Sequence, residues 1–150
     1  MQISSILSPE RTKAKLADGS KKRLLETLAE VFASAIPEAD EGELFQSFIG
    51  RERLGSTGIG QGIAIPHCRF ATGGATLCAC LTLSEPVDFD AIDGKPVDLV
   101  FAMLVPEQAE ESHLQVLATL AEALQNPQFT QQMRTCTEDQ QLYKVASGVN

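Results

Sequence analysis

The segment Val97-Asp98-Leu99-Val100-Phe101-Ala102-Met103-Leu104-Val105 constrains the fold more than any other part of the chain, because eight of its nine residues are apolar. It lacks the alternation of a strand with one wet face, and its β-branched and aromatic content reads as a strand over residues 97–105. A strand that is apolar on both sides needs cover on both faces, which asks for helices above and below a sheet.

The flanking sequence supplies those helices. Leu24, Leu25, Leu28, Val31, Phe32 and Ala35 recur at helical spacing over residues 20–35, with Ser20 as N-cap and Pro37 closing the segment. Asp40 and Glu43 form a capping-box pattern ahead of Leu44, Phe45, Phe48 and Ile49, in a helix expected to run towards Arg51–Arg53 and stop at Gly55. A second strand is expected over residues 76–83, with Asp93-Gly94 as a turn before the buried one. In the last third, Ser112 with Gln115 reads as a capping box ahead of Leu117, Leu120 and Leu124. Asn126-Pro127 opens a short helix, and Thr137 with Gln140 opens a final one. The expectation is an α/β (α+β) chain: one domain over residues 1–150, a three-layer α/β/α sandwich with a small mixed sheet between helices.

Charge and composition exclude some functions. A formal net charge of −8 over 150 residues disfavours a binder of nucleic-acid backbones. No apolar run approaches the roughly 18–20 residues of a membrane-spanning helix, and the N-terminus lacks the pattern of a signal peptide. Four cysteines with no dense framework are expected to stay reduced, in the cytoplasm.

The chemistry is expected in Gly55-Ser56-Thr57-Gly58-Ile59-Gly60-Gln61-Gly62-Ile63-Ala64-Ile65-Pro66-His67. Its glycines match neither the dinucleotide fingerprint nor the P-loop spacing, and they precede a strand where those motifs follow one. Residues 63–66 read as a short strand stopped by Pro66, which delivers His67 beside a glycine loop. A neutral imidazole is a competent nucleophile near neutral pH. On this reading the backbone N–H groups of Gly55, Ser56, Thr57, Gly58, Gly60 and Gly62 cradle a phosphate, and Arg51 or Arg53 offers a guanidinium fork. His113, placed at the first helical position by a cap at Ser112, would sit in a positive helix-end field. Equally, His67 shares strand parity with Ile63 and Ile65 and could simply line the core.

The thirteen-residue segment, together with Phe89-Asp90-Ala91-Ile92-Asp93-Gly94-Lys95-Pro96-Val97-Asp98-Leu99-Val100 and Ser112-His113-Leu114, resembles the type-2 (mannitol/fructose) IIA domains of the bacterial phosphotransferase system. Within that family it is most similar to the nitrogen-regulatory group, over essentially the whole chain. The resemblance implies that His67 carries a phosphoryl group on Nε2, that His113 is a second active-site histidine, and that Arg51 rather than Arg53 is the phosphate-site arginine. It implies a histidine phosphocarrier protein as donor. It also implies no cofactor, no resident metal and no membrane insertion. Regulated targets would include potassium-transport or sensor proteins, controlled by phosphorylation state rather than by turnover. A free-standing sugar-type IIA that hands its phosphoryl group to a membrane transporter is the alternative; the lack of an attached transporter segment favours the regulatory version. One departure is Cys68, where the family commonly has glycine.

A remote alternative is a metal module built from His67, Cys68, Cys78 and Cys80, although this spacing is unlike C-x₂₋₄-C zinc ligands. Asp88, Asp90, Asp93 and Asp98 do not match a calcium-loop pattern and read as a solvated turn.

Overall fold

The computed structural model describes residues 2–109 and 111–148, and of residues 112–114 the backbone only. Among the described residues one six-stranded sheet forms from β1 (Thr12–Leu16), β2 (Gly58–Gly60), β3 (Ile63–Ala64), β4 (His67–Phe70), β5 (Leu77–Val87) and β6 (Val97–Pro106). The strand order is β1-β5-β6-β3-β2, with β4 pairing β6 on the same side as β3. The β1–β5, β3–β6 and β4–β6 pairs are parallel, whereas β5–β6 and β2–β3 are antiparallel. The sheet is therefore mixed, as expected, and β6 is its central strand.

Both faces of β6 are covered. Ala102 and Leu104 join one core with Leu24, Leu28 and Phe32 of α1 (Lys21–Ala33) and Leu44 and Phe48 of α2 (Glu41–Arg53). Leu99, Phe101, Met103 and Val105 join the opposite core. There they meet α3 (Glu111–Ala123), α4 (Pro127–Thr135) and α5 (Asp139–Ser147) through Leu120, Met133 and Leu142. Burying both sides of such a run removes about 25 cal/mol per Å² of apolar surface from water, and a lone helix layer could supply only half of that cover.

Most helix starts follow the expected side chains. The Ser20 hydroxyl accepts from the Arg23 amide at 3.0 Å, the Asp40 carboxylate from Gly42 at 3.3 Å, and the Asn126 side chain from Gln128 at 3.0 Å. Three boundaries differ. α1 ends at Ala33, well short of Pro37. α5 takes Glu138 as N-cap with Gln141 closing a capping box, one residue later than the Thr137–Gln140 pair. α3 begins at Glu111, so Ser112 is a helical residue rather than the cap, and His113 is the third helical position rather than the first.

Candidate active site

α2 packs against β4, and its last turn brings Arg51 into the same groove as His67 at the start of that strand. The chain reaches that point along β6: Ile63 and Ala64 pair with Leu99 and Val100, Pro66 interrupts the strand, and pairing resumes with His67 opposite Met103. Pro66 has no amide to donate, yet its carbonyl accepts from the Met103 amide at 2.9 Å. His67 therefore opens β4 rather than following the end of a finished strand.

His67 is half-buried, and its Nδ1 lies 2.7 Å from the carbonyl oxygen of Ile65. A carbonyl only accepts, so Nδ1 carries the proton and donates, which leaves the lone pair on Nε2. Burial holds this imidazole below the ordinary histidine value. The positive charge of Arg51 pushes the same way, while the Ile65 contact and the negative charge of Glu52 oppose. The outcome is a neutral ring with its nucleophilic nitrogen chosen by the backbone.

An open groove of about 490 Å³ surrounds the ring. Ser47, Gly50 and Arg51 of α2 and its C-cap residue Leu54 form one wall, with Leu117 of α3 and Arg69 of β4 also in the lining. Arg51 donates from Nη1 to the Gly55 carbonyl at 2.8 Å, which steadies the guanidinium at the C-terminal end of its helix. Arg53 is exposed and is absent from this lining, so of the two arginines the fold brings Arg51 to His67. Arg69 went unmarked in the sequence reading. Its only signal there was strand parity, since residues two apart share a face. It donates to the carbonyls of Glu107 and Ala109, at 3.1 and 3.4 Å, and so ties β4 to the segment entering α3. The side chain of His113 lies outside the described residues.

The glycine segment stands apart from this groove. Gly55, Ser56, Thr57, Gly58, Gly60 and Gly62 were expected to cradle a phosphate, but none of them lines the groove around His67. Three of their N–H groups donate within the segment and to the end of α2: Gly55 to the Glu52 carbonyl, Thr57 to the Glu52 carboxylate, and Gly58 to the Ser56 hydroxyl. Gly62 sits at the far end of β3, where its carbonyl accepts from Asp98 and Leu99. The glycines serve close approach and turn geometry. A Cβ on Gly58 would lie 2.8 Å from the Ala91 Cβ. One on Gly62, where φ is +80°, would lie 2.8 Å from Arg134 Nη2.

The cysteines pack in the two cores, and the remote metal set of His67, Cys68, Cys78 and Cys80 does not come together. Cys68 belongs to the α1/α2 core while Cys78 and Cys80 belong to the opposite one, so the sheet lies between them. Among the described residues no group of three or more His, Cys, Asp or Glu side chains could hold a metal ion. Cys68 has no positive field to favour thiolate; burial pushes its thiol up to about 12.

Residues 5–147 match the model of the phosphoenolpyruvate-dependent sugar phosphotransferase system EIIA 2 family. The chain belongs to that family. A nitrogen regulatory protein of Pseudomonas aeruginosa is 43% identical over 149 residues, covering 99% of this chain and 97% of its relative. The crystal structure of nitrogen regulatory protein IIA-Ntr from Neisseria meningitidis superposes with a TM-score of 0.88 at 36% identity, covering 96% of this chain and 98% of that one. The mannitol IIA of Escherichia coli shares the fold, with a TM-score of 0.73 at 19% identity and coverage of 93% and 97%. These relatives make the chain an EIIA 2 domain similar throughout its length to nitrogen regulatory proteins. The α/β/α sandwich is the EIIA 2 fold. None of the described helices is long and apolar enough to cross a membrane.

Proposed function

We propose that this EIIA 2 chain is a phosphohistidine switch: His67 accepts a phosphoryl group on Nε2 from a histidine phosphocarrier protein, and the resulting charge selects which regulated proteins bind. The observation that carries the reading is the 2.7 Å contact from Nδ1 to the Ile65 carbonyl, which makes Nε2 the only ring nitrogen with an available lone pair. In the transfer, the donor's N–P bond breaks as the Nε2–P bond forms, and the departing imidazole nitrogen of the donor recovers its electron pair. The Nδ1 proton stays on His67, and the Ile65 carbonyl stabilises the positive ring that phosphorylation creates. Arg51, in the groove beside the ring, supplies charge to the phosphoryl oxygens, and His113 of α3 is its proposed partner in that role.

Resemblance over the full chain to nitrogen regulatory proteins favours a regulatory outcome over sugar transport, with potassium-transport and sensor proteins as the target class. The cytoplasm is the compartment that such a donor requires. Incubation with phosphoenolpyruvate, enzyme I and the carrier should add one acid-labile phosphoryl group, and His67→Ala should accept none. Full labelling of that variant would refute the assignment. A pull-down with unphosphorylated and phosphorylated protein should recover different partners, and identical recovery would refute the switch.

A further inference from the structure

Glu52 adjoins Arg51 on α2, yet its side chain is only 6% exposed. Its carboxylate is fully engaged. Oε1 lies 3.1 Å from Lys21 Nζ and accepts the Thr57 amide at 3.1 Å, while Oε2 accepts the Thr57 hydroxyl at 2.5 Å. Thr57 is itself buried. Its carbonyl accepts the Ile65 amide at 3.0 Å, and the Ile65 carbonyl accepts Nδ1–H of His67 at 2.7 Å. A continuous line of contacts therefore runs from Lys21 through Glu52, Thr57 and Ile65 to the imidazole.

We infer that Glu52, clamped by Lys21, is a positioning residue that fixes the Ile65 carbonyl against His67 and so selects the Nδ1–H tautomer. The inference rests on the phosphohistidine reading for its kinetic consequence, but not for the tautomer itself. A buried carboxylate beside a site meant to receive an anion is otherwise hard to justify, since its charge repels phosphate. Lys21 offsets that charge, and its ammonium also lies 4.6 Å from the centre of the Phe89 ring. Glu52 in turn replaces, for the loop of residues 54–57, the ladder partners that an irregular segment lacks. Without it, Thr57 loses both side-chain partners and the Ile65 carbonyl is free to tilt. His67 would then sample the Nε2–H tautomer, whose proton blocks the nucleophilic nitrogen.

The test uses two-bond proton–nitrogen NMR correlations of the His67 ring in the intact protein, with phosphoryl acceptance from the carrier as a separate readout. Glu52→Ala should populate the Nε2–H tautomer and slow acceptance by roughly 10–100-fold, the cost of a misplaced reacting group. Glu52→Gln keeps an acceptor for the Thr57 amide and should restore the wild-type tautomer. Thr57→Val leaves Glu52 in place and should shift the tautomer less, with faster exchange of the Ile65 amide. If Glu52→Ala does not fold, Thr57→Val decides alone: wild-type ring signals and wild-type Ile65 exchange overturn the inference. A folded Glu52→Ala with an unchanged tautomer overturns it too, even if its Tm falls, because that is what a merely structural residue would do. Absence of acceptance by the wild-type protein itself would instead count against the phosphohistidine reading, since the NMR arm needs no phosphoryl group.

Discussion

Gly58→Ala separates packing from phosphate binding as the reason for a glycine in this segment. An ideal Cβ at residue 58 would lie 2.8 Å from the Ala91 Cβ, 3.0 Å from the Ala91 Cα and 3.3 Å from the Ser56 hydroxyl. Carbon atoms are at their best separation at about 3.5–4.0 Å, so backbone must move by roughly 0.5–1 Å on one side or the other. Neither side gives readily, because β2 is paired to β3 and Ala91 is buried. Overpacking of this kind costs about 1–3 kcal/mol. For a domain of this size that corresponds to a fall in Tm of roughly 3–10 °C. Ala91→Gly in the same chain removes the shortest contact but leaves the Cα, so thermal and urea unfolding of the four proteins in the cycle should show a favourable coupling of about 1 kcal/mol. Phosphoryl acceptance by folded Gly58→Ala should stay within about threefold of wild type, because the Gly58 amide donates to Ser56 and not into the groove. Wild-type stability, or a double variant no better than the sum of its parts, would refute the packing argument. A loss of acceptance of roughly 100-fold or more in the folded variant would return the glycines to the phosphate site.

Acidification should oppose both folding and transfer through His67. Its folded value lies below the usual 6.5, so the unfolded chain binds the proton first, and wild type should lose stability relative to His67→Gln as pH falls below about 6.5 towards the folded value. The opposite slope in urea titrations would refute this. Arg51→Met removes one of the influences holding the ring neutral, so the pH at which acceptance is half-maximal should move upward; a downward move would show that Arg51 does not act electrostatically on His67. Cys68, with its thiol pushed up to about 12, should react with an exposed-thiol reagent about a thousandfold more slowly at pH 8 than an ordinary cysteine, until the protein unfolds. Rapid native-state modification mapped to Cys68 would contradict its burial.

The sandwich was legible because its signals are local or periodic. β6 announces two buried faces by being apolar throughout, and α1, α2 and α4 begin at side chains that satisfy their own first turns. β1 escaped notice. Thr-Lys-Ala-Lys-Leu is short, and its pairing is with β5, parallel and more than sixty residues away. The start of α3 was misplaced because Ser112 offers a cap that the chain does not use. At the site, His67 and Arg51 could be picked out by residue type and resemblance, whereas Arg69 and Glu52 gave no comparable signal. A charged residue beside a marked one reads as solvated surface until its neighbours in space are known.

By itself, the sequence determined a two-faced sheet, a glycine-rich approach to one histidine, and membership of the EIIA 2 family. Tertiary structure decided how those parts are used. It set Arg51 rather than Arg53 against the histidine, because the last turn of α2 presents only one of them to β4. It turned the Gly55 and Thr57 amides to Glu52 and the Gly58 amide to the Ser56 hydroxyl. And it fixed the free nitrogen of His67 through the Ile65 carbonyl, a choice made by hydrogen-bond geometry that no residue identity encodes.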